Sequence, residues 1–112
     1  HMLVRTSLRL ALLTASVAAL ALPAHAETYT LTIKDHRFSP ETLKVKANQE
    51  FDLTVINSDP TAEEFESHDF QVEKVVQGGK QITVHVGALA PGTYGFFGER
   101  HKDTAVGNLF AE

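Results

Sequence analysis

From Thr28 to the C-terminus the apolar residues fall on alternate positions in short runs, separated by turn residues roughly every 8 to 12 positions. That rhythm restricts the chain to strands. Tyr29, Leu31 and Ile33 alternate with Thr28, Thr30, Thr32 and Lys34, the period of a half-buried strand built from residues of high β propensity. Leu43 and Val45 make a short second strand after the Ser39-Pro40 turn, and Asn48 suits a left-handed turn position. Phe51, Leu53 and Val55 face inward on a third strand that ends near Asn57. Ser58 to Glu66 is polar, contains Pro60, and reads as a loop or a single helical turn. Alternation resumes at His68, Phe70 and Val72. Gly78-Gly79 makes a turn, Ile82, Val84 and Val86 form the next inward row, and Thr93 to Phe97 with Asn108 to Ala111 supply the last pair. No run of ten or more residues has a helical period. The prediction is an all-β protein, a Greek-key β-sandwich of about seven to eight strands. Leu89 to Tyr94 has the form of a tyrosine corner, with Pro91-Gly92 as the tight turn; an ordinary hairpin with a core Tyr is the alternative.

The first 26 residues do not share this rhythm. Arg5 and Arg9 are basic, Leu8 to Leu22 is apolar, and Ala24-His25-Ala26 is a small-x-small cleavage site. This is the pattern of a secretory signal peptide, and an apolar run of about 15 residues is shorter than the roughly 20 needed to span a bilayer. His1 ahead of Met2 looks like a tag remnant. The expected division is therefore a processed segment, 1–26, and one folded domain, 27–112, in the periplasm.

Those 86 residues suffice for one small core and one site. They carry eight Lys and Arg against fourteen Asp and Glu, a net charge of −6 with His neutral. An acidic surface disfavours nucleic acid and anionic lipid and suits cations. The chain contains no cysteine, which excludes disulfides and every thiolate-based site.

Four histidines lie in the domain. His85 sits between Val84 and Val86, so alternation turns it outward. His68 shares its strand face with Phe70 and Val72, which points it into the sandwich. It is either a core histidine with a satisfied hydrogen bond or a ligand beside Glu66, two residues earlier on the same face. His101 lies in the loop between the final two strands, flanked by Glu99 and Asp103; a solvated charged loop is the alternative. His36 stands where the first strand ends and can reach the same end of the sandwich. Imidazole and carboxylate without sulfur make a borderline-to-hard donor set, suited to Cu(II), Fe, Mn or Zn rather than Cu(I). Affinity at such a site falls as its donors protonate. Acidic Glu63, Glu64 and Asp59 raise the further option of a second, weaker cation site.

From Tyr29 onward the chain resembles cupredoxin-like domains. Three stretches, Phe38-Ser39-Pro40, Asp59 to Ser67 (DPTAEEFES) and Phe96 to Gly107 (FFGERHKDTAVG), are similar to the periplasmic cupredoxins associated with bacterial iron permeases. Leu89 to Leu109 resembles the cupredoxin ligand loop with its sulfur ligands removed: Gly98 stands where a Cys would be, three residues before His101, and Ala105 or Val106 where a Met would be. The resemblance implies Glu66, His68, Glu99 and His101 as metal ligands, with His36 as a further candidate. It implies Cu(II) first and iron second as the bound metal, and an inner-membrane iron permease or another periplasmic metal protein as partner. The expected function is metal binding in iron uptake or copper homeostasis, without enzymatic activity. A copper-assisted ferroxidase component and a metal-free partner-binding module are the alternatives.

Overall fold

The computed structural model describes residues 11–14 and 26–112. The signal-peptide reading of 1–26 falls almost wholly outside them. Among the described residues, no helix is long and apolar enough to cross a membrane. The described residues form nine strands in two sheets: β1 (Glu27–Lys34), β2 (Arg37–Ser39), β3 (Thr42–Val45), β4 (Phe51–Asn57), β5 (Glu63–Ser67), β6 (Val72–Val76), β7 (Gln81–Val86), β8 (Gly92–Gly98) and β9 (Val106–Ala111). A single 3₁₀ turn, Glu99–His101, leaves the end of β8. One sheet runs β2-β1-β4-β7 and the other β3-β9-β8-β5-β6. The β1–β4 and β3–β9 pairs are parallel and the others antiparallel, as in a Greek-key sandwich.

Register aligns the apolar rows. Leu31 lies beside Val55, and Leu53 beside both Tyr29 and Val84, so each inward residue is flanked by others on the same face. Between the sheets, Phe38 meets Phe96 edge-on with ring centroids 4.9 Å apart, and Phe65 lies 5.5 Å from Phe96. These three rings are fully or nearly fully buried and contribute about 1.5–3 kcal/mol each by leaving water. At the β8 entrance Tyr94 Oη donates to the Ala90 carbonyl at 2.7 Å, the closure of a tyrosine corner. Asn48 adopts the left-handed conformation, with φ 61°.

Two segments depart from expectation. Glu63–Ser67 is a strand rather than a loop, and with the three-residue β2 it raises the count to nine. The inner row of β5 is Glu63, Phe65 and Ser67, all buried, so two of its three inward residues are polar and the strand carries no hydrophobic alternation. The anticipated strand beginning at His68 is instead a turn. The Ser67 hydroxyl donates to the Gly95 carbonyl at 2.6 Å and accepts the Phe70 N–H at 3.2 Å, while Gln71 is left-handed, and the chain reverses into β6.

Candidate metal centre

At one end of the sandwich the β1–β2 hairpin turns through two left-handed residues, Asp35 (φ 51°) and His36 (φ 57°). A two-residue hairpin turn requires positive φ at both central positions, which Asp and His tolerate better than most residues. The turn is held from outside the hairpin. Asp59, in the loop after β4, accepts the Asp35 N–H at Oδ1 (2.7 Å) and the His36 N–H at Oδ2 (3.0 Å). Its own N–H donates to Asn57 Oδ1 at 3.0 Å, and Asn57 Nδ2 donates to the carbonyls of Thr61 and Val76. Burial pushes the Asp59 carboxyl up, but the N–H groups of His36 and Asp35 and the nearby imidazoles of His36 and His101 hold it below the ordinary carboxylate value.

The second half of the site comes from β5 and the β8–β9 loop. Glu63 opens β5, faces inward and is 2% exposed. Its Oε1 accepts the N–H groups of Glu64 (3.0 Å) and Arg100 (2.9 Å), and its Oε2 meets His101 Nδ1 at 2.5 Å. A buried carboxylate is tolerable only when its acceptors are filled, and these are. With Nδ1–H directed to the carboxylate, the neutral His101 ring keeps its lone pair on Nε2. The His36 ring lies flat against the His101 ring, with centroids 3.5 Å apart and planes 11° from parallel.

Gly98 explains how Glu63 fits. A Cβ at position 98 would lie 2.6 Å from Glu63 Cδ, 2.9 Å from Glu63 Oε2 and 2.9 Å from Ala105 Cβ. The carboxylate and the Ala105 methyl therefore fill the space that a side chain at 98 would enter.

The five residues named from sequence fall in three places. His36 and His101 come together at the sandwich end. His68 does not point into the sandwich: its side chain is 77% exposed in the turn after β5, with Nε2 3.8 Å from Glu66 Oε1 and its ring 5.4 Å from Phe97. The strand reading misplaced it because the strand had already ended at Ser67. Glu66 lies on the outer face of β5, and Glu99 pairs with Lys102 at 3.0 Å. His85 is outward as expected, bonded to Asp52 and near Glu50.

On that same outer face Glu64, Glu66 and Glu73 form the only group of three or more acidic or imidazole side chains, among the described residues, whose donor atoms lie within 4.8 Å of one another. A hydrogen bond to Glu73 pushes the Glu64 carboxyl up, helped by desolvation and the charges of Glu73, Glu66 and Glu99. Glu63 accordingly stands behind His101 rather than completing a compact three-donor set with His36. Sequence reasoning missed the inward positions of Glu63 and Asp59, which it grouped with Glu64 on an acidic loop as the option of a second, weaker cation site. Strand parity was the missed signal for Glu63, since it is two residues from Phe65.

Residues 6–111 match the sequence profile of the cupredoxin-like domain. The chain belongs to this family. The cupredoxin-like chain is 44% identical over 77 residues to an uncharacterized protein, RP394, of Rickettsia prowazekii (strain Madrid E); the match covers 69% of this chain and 62% of that protein's length. Among solved structures it is similar to auracyanin A, a "blue" copper protein of Chloroflexus aurantiacus (TM-score 0.66, 14% identity, 79% of this chain and 100% of that one). It is also similar to the metal-binding domain of the Cu(I)-exporting P-type ATPase CopA of Streptococcus pneumoniae D39, solved with Cu(I) (TM-score 0.70, 9% identity, 81% and 90%). Amicyanin from Paracoccus versutus aligns with a TM-score of 0.59 at 13% identity over 82% and 86%. At these identities the likeness is one of fold.

The donor set decides which copper chemistry the cupredoxin-like domain can accommodate. A thiolate site does not fit, because the chain has no cysteine and the room at position 98 is taken by the Glu63 carboxylate. The imidazole and carboxylate groups that remain are chemically suited to Cu(II) or iron rather than Cu(I), while the stacked His36 and His101 rings do not yet direct their nitrogens at one point.

Proposed function

We propose that this cupredoxin-like domain is a periplasmic metal-binding protein, taking copper or iron at a sulfur-free centre and serving iron uptake or copper homeostasis. His36 and His101 supply the imidazoles. Glu63 orients His101 by holding its Nδ1–H, as buried carboxylates do behind metal-binding histidines. The observation that carries this reading is the meeting of His36 and His101 at the sandwich end with a buried, fully bonded carboxylate on His101 Nδ1; because the two rings are stacked in near-parallel planes, one must turn about its side-chain bonds for both to reach a single ion. Nothing in the packing of an all-β core requires such a group. A copper ion bound here would supply a one-electron couple able to accept an electron from Fe(II). Export to the periplasm rests on the basic, apolar and small-residue segments of 1–26, and the link to an iron permease rests on the DPTAEEFES and FFGERHKDTAVG stretches.

Calorimetric titration of residues 27–112, which contain all nine strands, with Cu(II) and with iron salts tests the reading. The expected result is one metal per chain, a copper resonance spectrum without thiolate character, and at least tenfold weaker binding in His36→Ala and His101→Ala. Unchanged affinity in both variants would refute it. A loss confined to His68→Ala would move the site to the Glu66–His68 pair. Iron oxidation assays with and without copper separate a carrier from a ferroxidase component.

A further inference from the structure

His36 is not placed by its own hairpin alone. The β1–β2 turn is only two residues long, both left-handed, and its backbone N–H groups point away from the hairpin to a carboxylate 24 and 23 residues later in the chain. Asp59 is 7% exposed, an unusual place for a charge unless it has a partner. Each of its oxygens takes one N–H of the turn, so the two bonds fix both the position and the rotation of the Asp35–His36 unit. Asp59 is itself immobilised. The Asn57 side chain ties its N–H to the carbonyls of Thr61 and Val76, and the Asp59 carbonyl accepts the Gly79 N–H at 3.0 Å. Ser58 N–H donates to the Ile33 carbonyl at 2.8 Å, fastening the same loop to the end of β1. Gly78 completes the seat: a Cβ there would run into the Pro60 carbonyl, so the β6–β7 turn packs directly on this loop.

We propose that Asp59 is a positioning residue: its carboxylate clamps the Asp35–His36 turn and so holds the His36 imidazole beside His101, within reach of an ion bound there. The metal-affinity part of this inference rests on the function proposed above; the part concerning the imidazole pair does not. Two left-handed non-glycine residues in succession are costly without such a clamp. A turn released from it samples other conformations, and the entropy of fixing His36 must then be met when metal binds. Loss of an outer contact of this kind typically weakens metal affinity about 10–100-fold.

The test uses residues 27–112 with Asp59→Ala, Asp59→Asn, His36→Ala and the double variant Asp59→Ala/His36→Ala. In the metal-free protein, NMR should show ring-to-ring contacts between His36 and His101 and slow exchange of the Asp35 and His36 amide protons. Asp59→Ala should abolish both. Asp59→Asn retains one acceptor oxygen and should leave one amide protected, which keeps the test open if the alanine variant fails to fold. With Cu(II) as the probe, Asp59→Ala should bind about 10–100-fold more weakly but add no loss in the His36→Ala background. Ring contacts and amide protection unchanged in both Asp59 variants would overturn the clamp. Equal affinity losses with and without His36 would show that Asp59 acts on general stability instead. If His36→Ala and His101→Ala bind Cu(II) as the parent does, the metal reading fails while the ring contacts still decide the clamp.

Discussion

A methyl group added at position 98 should destabilise this protein by about 2–4 kcal/mol, the sum of overpacking and displacement of a charged acceptor from its donors. Gly98 has φ −95° and ψ 114°, an extended conformation open to any residue, so Gly98→Ala meets no backbone strain. At such a position the substitution would ordinarily stabilise by about 0.4–1 kcal/mol through the unfolded chain. Here the new Cβ would stand 2.6 Å from the carboxyl carbon of Glu63, which is fastened by the N–H groups of Glu64 and Arg100 and by the His101 ring. Either β8 shifts away from β5, opening the core beside Phe65 and Phe96, or Glu63 leaves bonds that nothing else can satisfy. Urea unfolding is the assay: at a slope of about 1 kcal/mol per molar for a small domain, the midpoint should fall by roughly 2 M or more. Repeating the substitution in a Glu63→Ala background isolates the cause. There most of the loss should disappear, leaving a coupling of about 1–3 kcal/mol. A Gly98→Ala protein as stable as the parent, or an equal loss in both backgrounds, would refute the argument that Glu63 fills this space.

Gly98→Cys combined with Glu63→Ala puts a thiol in the space the carboxylate fills beside His101, and Cu(II) should then give an intense visible thiolate-to-copper absorption band that Gly98→Cys alone does not; absorption spectroscopy decides it. The hydrogen bond to Asp52 raises the His85 pKa against desolvation, with Glu50 adding to the rise. The group therefore contributes stability below its ordinary pKa and loses it as pH rises through the folded value; NMR titration should find an elevated pKa that Asp52→Asn brings down. Tyr94→Phe removes the 2.7 Å bond to the Ala90 carbonyl and should cost about 0.5–1.5 kcal/mol in urea unfolding without changing Cu(II) affinity.

How much of this was legible in the sequence depended on whether a residue's partner lay in its own strand pattern. Leu31 and Ile33, Phe51 to Val55, and Val84 with Val86 alternate cleanly with polar residues, and each turned inward as read. Tyr94 was legible because its hydroxyl reaches only four residues back. β5 was not, because an inward row of Glu63, Phe65 and Ser67 has no apolar period to detect. His36 could be placed at a strand end, but its stacking on His101 depends on a hairpin turn clamped by a residue 23 positions away. His68 was misread for the opposite reason: Phe70 and Val72 supply an apolar alternation that continues across a turn, and only the Ser67 hydroxyl bonds reveal where the strand stops.

The carboxylate behind His101 follows from one register. β5 pairs antiparallel with β8 through Phe65 opposite Gly98 and Glu66 opposite Phe97, which carries Glu63 past the end of β8 to the level of Arg100. There its Oε1 captures the Arg100 N–H at the start of the 3₁₀ turn, and its Oε2 reaches the imidazole that closes that turn. The family resemblance puts a sulfur donor at the end of β8; this chain instead brings an anionic group from the neighbouring strand into the space left by a missing side chain. A glycine at 98 is thus what lets an inward glutamate at 63 occupy this space. Glu63 bonds His101 and does not take a thiolate's place as a donor, so the centre proposed above has imidazole nitrogens as its donors, a set suited to Cu(II) or iron. On the function proposed above, the absence of sulfur from this loop changes which ion the sandwich end would hold, and the Cu(II) titration of the His36→Ala and His101→Ala variants decides between that and a site that has been lost.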